Sequence, residues 1–159
     1  MNPLDGNLEA RTTPVGMFHY AHAYAASALT LNKVDVHTIH SDAPIRFLFS
    51  HSIELYVKAY LLLKGLSVEE LASRGLGHNL KNLTSKAVKL GLSIPNEHRT
   101  WIELANEAIL DRYIKTGART VLLPESLAAI CANLHEQIGP DVYAAYGLTR
   151  KPEQFQKGA

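Results

Sequence analysis

Cysteine is nearly absent: Cys131 is the single one in 159 residues. That excludes an internal disulfide framework and fits a reducing compartment. Charge is also scarce. Asp, Glu, Lys and Arg make up 19 % of the chain, against about 25 % in an average soluble domain, which favours a self-association surface. Neither sign dominates, because 16 basic and 15 acidic residues leave a net +1. A dedicated duplex-DNA binder would carry a strong basic field, so that class is not expected. Long uninterrupted apolar runs are missing too. The most apolar stretch, residues 45–63, contains Arg46, His51, Glu54 and Lys58, each costly in hydrocarbon, so no membrane span is expected. The opening MNPLDGNLEARTTP has acidic residues and no apolar core, so no secretory signal and a cytoplasmic location are expected.

Several chemical signatures are lacking as well. There is no Walker loop, no Gly-rich dinucleotide turn, no G-x-S-x-G elbow, no HExxH and no paired CxxC. Eight histidines are present. His19 and His22 are three apart on one helix, and Asp35, His37, His40 and Asp42 crowd a linker. A zinc site needs three or four converging ligands, and spacing alone supplies no convergence. Neither a metal nor a cofactor is expected. Cys131 lies among Ala128, Ala129, Ile130 and Ala132 and reads as a buried structural thiol.

What is present is helix. The apolar fraction is 47 %, and the length fits one domain able to bury a core without staples. Residues 1–12 read as a loose arm, 13–147 as the folded domain and 148–159 as a polar, frayed tail. Thr13-Pro14 starts a helix over 15–31, with Met17, Ala21, Tyr24, Ala25, Ala28 and Leu31 at helical spacing. Asp42 opens a second helix, which stops before Gly65. The capping-box pattern Ser67-Val68-Glu69-Glu70 predicts a short helix to about 73. Asn79 caps a helix carrying Leu80, Leu83, Ala87 and Leu90. A helix over 97–113 turns Trp101, Leu104, Ala105, Ala108 and Ile109 inward. Pro124 starts a last long helix, ended by Gly139-Pro140, with a short helical piece over 141–146. Strand alternation dominates nowhere, so the fold class is all-α: a bundle of about five main helices with short extra ones.

The second helix carries the candidate chemistry. At about 100° per residue, Ile45, Leu48, Phe49, Leu55, Ala59, Leu62 and Leu63 share one broad side, read as the core stripe. Arg46, Ser50, His51, Glu54 and Lys58 share the other, interleaved with Phe47, Val57 and Leu61. Mixing ionisable and large apolar groups suits a cleft or a subunit interface. Glu54 and Lys58 form an i,i+4 pair in the favourable orientation. His51 lies one turn before Glu54, a spacing that also permits an acid–base pair. His78 stands before a helix start, where it reads either as a ligand for an anion or as a residue packing on the cap. Arg112 and Tyr113 end a helix and suit either phosphate contact or dipole compensation and packing.

The run from His51 to Leu62, HSIELYVKAYLL, resembles the H-x-x-E-L-x-x-K-A-x-L helix of HEPN-type domains. Gly77-His78-Asn79-Leu80-Lys81-Asn82-Leu83 resembles the G-H-[DN]-L-x-x-L opening of the family's next long helix. Arg112 to Gly117, RYIKTG, resembles an R-Y-x-x-T-G element of some bacterial members. Together these cover roughly residues 45–140. The resemblance implies a compact helical bundle, often a symmetric dimer. It implies either a metal-independent endoribonuclease of toxin–antitoxin, abortive-infection or CRISPR-linked type, or a non-catalytic partner of a nucleotidyltransferase-type or other protein, or a nucleotide-binding module.

Ribonuclease members carry an Arg, four to six residues, then a His, on a late helix. Here only Arg46-Phe47-Leu48-Phe49-Ser50-His51 fits that spacing, and it sits at the start of the second helix. Arg46 and His51 fall about 140° apart on the wheel, so one subunit does not easily aim both at one phosphate. The reading is therefore a non-catalytic, homodimeric binding module that engages a partner protein or nucleotide-like ligand through Glu54, Lys58, His78, Asn79, Arg112 and Tyr113. Its alternative is a ribonuclease that cleaves RNA at a dimer cleft with Arg46 and His51.

Overall fold

A computed structural model of the protein describes residues 11–110, 121–149 and 153–155. Six helices lie among them: α1 Pro14–Leu31, α2 Asp42–Leu63, α3 Val68–Ala72, α4 Leu80–Lys89, α5 Asn96–Leu110 and α6 Pro124–Ala145. The described residues hold no strand, and the expected all-α bundle is what forms. None of these helices is long and apolar enough to cross a membrane. Arg112 and Tyr113 lie outside the described residues, as do the RYIKTG element and nearly all of the expected arm.

The helix ends follow from local chemistry. Thr13 Oγ1 accepts from the Gly16 N–H at 3.1 Å, and Pro14 takes the position where a missing N–H costs nothing. Ser67 and Glu70 form the full capping box of α3. Gly65 and Gly91, just past the ends of α2 and α4, have φ of +93° and +102°, where a side chain would be strained.

α2 is the hub. It packs along α1, against α6, and on α4 and α5. Its buried set is Ile45, Phe49, Ser50, Ser52, Ile53, Glu54, Tyr56, Val57, Ala59, Tyr60 and Leu61. This corrects the wheel reading in part: Ile45, Phe49 and Ala59 are buried as expected. Leu48, Leu55 and Leu62 are only half-buried, whereas Glu54 and Val57 face inward. The reason is neighbour number: α1, α6, α4 and α5 surround all but an arc of about 100° centred on His51. The core-facing side is wider than a stripe, and apolarity alone did not locate its open sector.

Two other elements differ from expectation. α6 runs without a break through Gly139-Pro140 to Ala145. Pro140 removes one helical hydrogen bond, a disruption of about 3 kcal/mol in a free helix. Ile138, Val142 and Tyr143 are buried on either side of it, so packing holds the helix together. Among the described side chains of α5, Ile102, Ala105 and Asn106 are buried, Trp101 is half-buried and Leu104 is exposed, while those of Ala108 and Ile109 lie outside the described set. The tail is not wholly free, either. Phe155 is buried against His22 and His135.

A polar centre lies inside the α1–α2–α6 seam. Tyr56 Oη and His135 Nδ1 are 2.8 Å apart, and His135 Nε2 is 2.6 Å from the Glu153 carbonyl. One neutral tautomer serves both bonds: the Tyr56 hydroxyl donates to Nδ1, and Nε2–H donates to the carbonyl. His22 stacks on His135 with ring centroids 4.5 Å apart. Burial lowers the pKa of His22, His98 and His135 below the ordinary histidine value.

Depressed histidine pKa values mean that the unfolded chain binds more protons once the pH falls below about 6.5. Stability from these groups is therefore complete above that pH and lost on acidification. We expect the urea midpoint to fall between pH 7.5 and pH 5.5, and the fall to shrink in His135→Gln. Tyr56→Phe, which leaves His135 Nδ1 without its donor, should cost about 1–3 kcal/mol in the same measurement at pH 7.5.

Candidate functional site

α2 places Glu54 and Lys58 one turn apart, and Lys58 Nζ donates to Glu54 Oε1 at 2.7 Å. The Glu54 side chain is 4 % exposed and that of Lys58 12 % exposed. This is a largely dry pair, unlike the solvated i,i+4 pairs worth only a few tenths of a kcal/mol. The same Oε1 lies 3.0 Å from His78 Nδ1. A carboxylate oxygen only accepts, so Nδ1 carries the proton and Nε2 is the free ring nitrogen. The His78 side chain is 63 % exposed. A buried carboxylate thus fixes one imidazole at the surface beside one ammonium.

The turn that presents His78 is built locally. Gly77 has φ of +23°, and a Cβ there would sit 3.1 Å from the Ser73 carbonyl oxygen. Asn79 caps α4 through its Oδ1 and the Asn82 N–H at 3.1 Å, while Asn82 Nδ2 donates to the Gly75 carbonyl at 2.7 Å. Asn79, expected among the ligand residues, is used here as the N-cap of α4. Its contribution is to hold the turn that carries His78.

Arg46 and His51 are not brought together. Arg46 Nη1 is 3.5 Å from Asp42 Oδ2, one turn back on α2. The His51 ring meets Tyr24 of α1 edge-on at 4.6 Å and stacks parallel to Phe47 at 6.1 Å. These ring contacts tie His51 to α1 and to the preceding turn of α2. Glu54, Lys58 and His78 converge, and Arg112 and Tyr113 lie outside the described residues.

Sequence reasoning missed Asn106, which is buried on α5 with Oδ1 3.5 Å from the Lys81 amide of α4. It also missed the Tyr56–His135 bond. The signal for His135 was present: it shares the face of Cys131 and Ile138, and the other buried residues of α6 are apolar. Cys131 is fully buried, its thiol pushed up to about 12 by burial. Among the described residues, no three His, Cys, Asp or Glu side chains gather into a metal-sized site. A groove of about 640 Å³ runs between α1 and α6, lined by Leu29, Lys33, Ala129, Asn133 and Phe155. None of the residues singled out from sequence lines it.

No family model, curated protein or solved structure matches this chain.

The geometry sets an order of costs. Removing the cation from a buried pair leaves an uncompensated charge, at about 3–5 kcal/mol. Lys58→Met should destabilise by that much in urea unfolding. Glu54→Gln should cost less, because the freed Lys58 ammonium can reach water along its flexible stem.

Proposed function

We propose that this chain is a HEPN-like, non-catalytic binding module, a homodimer that takes a nucleotide-like ligand at the edge formed by Lys58 and His78. The observation that carries this reading is the Glu54 cluster. One buried carboxylate accepts from both groups and fixes them side by side. Lys58 keeps two further N–H donors for a phosphate oxygen, and His78 adds an Nε2–H donor when both of its ring nitrogens carry a proton. Preorganised contacts of this kind lower the ordering cost of binding.

The resemblance supports the reading through its position in space. The H-x-x-E-L-x-x-K helix and the G-H-N-L turn meet at the Glu54–His78 bond. The non-catalytic part rests on Arg46 and His51, which have separate partners on separate sides of α2. Phosphate chemistry of the Arg–His type needs both groups at one phosphoryl oxygen.

Isothermal titration with ATP as probe tests this. Wild-type protein should bind, and His78→Ala, titrated at a temperature where circular dichroism shows it folded, should weaken binding by about tenfold, the scale of one lost charged or polar contact. No binding at millimolar ATP would remove the nucleotide reading. RNA cleavage in EDTA that disappears in His51→Ala would replace it with the ribonuclease reading.

A further inference from the structure

α1 contains no Asp, Glu, Lys or Arg in 18 residues. Only four of its residues, Phe18, Ala21, Ala25 and Ala28, are buried. They form one narrow stripe, so most of the helix surface is uncharged and open to varying degrees. Tyr20 is 68 % exposed. Tyr24, one turn on, is half-buried and touches His51.

The open arc of α2 lies beside that surface. It carries Phe47, 48 % exposed, with Leu48, His51 and Leu55 half-buried. Ser52 Oγ donates to the Ala21 carbonyl at 2.7 Å, which fixes α1 next to this arc and makes the two surfaces continuous. The arc holds one charged residue, Lys58, and Glu54 neutralises it. An apolar, aromatic face spanning two helices is larger than the scattered apolar residues normal on a monomer.

We infer that a second copy of this chain packs on the α1–α2 face through Tyr20, Tyr24, Phe47, Leu48, His51 and Leu55. Two arguments commit the face to that occupant. In a two-fold interface the patch meets its own copy, residue i against j and j against i, so a patch with a net charge of one sign repels itself. A face without free charge is self-compatible, and a nucleic acid would instead require cations there. The second argument is size. α1 is about 27 Å long and two packed helices are about 20 Å wide, a footprint on the order of 500 Å² before side-chain relief is counted. That is the scale of the roughly 800 Å² per partner in a stable interface. Aromatic residues also supply the anchors that such interfaces use.

This inference rests on the homodimer part of the proposed function and assigns its surface. Sedimentation equilibrium of the full chain should give a mass near twice 17.5 kDa. Tyr20→Glu and Phe47→Glu should each raise the dimer dissociation constant by about tenfold or more, as loss of one central anchor does. Circular dichroism should show unchanged helicity. Leu104→Glu, on the exposed side of α5, should leave the dimer intact. Should either variant unfold, Ser27→Glu places a charge at an already exposed polar position of the same α1 surface and must weaken the dimer likewise. A wild-type dimer that survives the charged variants overturns the face alone. A wild-type monomer at about 200 µM, well above a micromolar constant, overturns both face and dimer, while ATP binding is read separately.

Discussion

Glu54 is a carboxylate turned into the protein, and much of the molecule is arranged around that one choice. An ionised group so dry is tolerated only where cations and hydrogen-bond donors meet it. Lys58 comes from the same helix and costs little to position. His78 comes from a turn 24 residues away, so the Glu54–His78 bond ties α2 to the start of α4. Gly77 and the Asn79 cap are the backbone devices that allow that approach. The inward carboxylate also decides what faces out. With Glu54, Val57 and Leu61 buried, Leu48, Leu55 and Phe47 are left on the open arc.

The fold was largely legible because caps and breakers are local. Thr13-Pro14, Ser67 with Glu70, Asn79 and Gly65 each act within a few residues, and each stands where the chain predicted an end. Pro140 misled for the same reason. Its local meaning is a stop, yet the burial of Val142 and Tyr143 outweighs it. The orientation of α2 was illegible by periodicity, because a helix surrounded on most sides is apolar nearly all round. Only knowledge of where α4 and α5 sit identifies the open sector.

The site divides along similar lines. Glu54 and Lys58 could be paired from their spacing, whereas the Glu54–His78 bond joins residues 24 apart and leaves no trace in periodicity. His51 could not be oriented on a wheel, since one helical turn leaves contact open in either direction. Its ring turns to Tyr24, a tertiary contact with no trace in the spacing. The Tyr56–His135 bond joins residues 79 apart, beyond any local rule, and Asn106 is polar in a position that periodicity assigns to apolar side chains.

Cys131 gives the molecule an internal gauge. Its sulfur lies 3.6 Å from Ser52 Oγ, and the same hydroxyl binds the Ala21 carbonyl, so the thiol sits where α1, α2 and α6 close together. Thiolate is the reactive form, and burial suppresses it. An alkylating reagent therefore meets this sulfur only after the three-helix seam has parted. Because the chain has no second cysteine, its labelling rate under native conditions clocks the opening of that seam without any engineered probe.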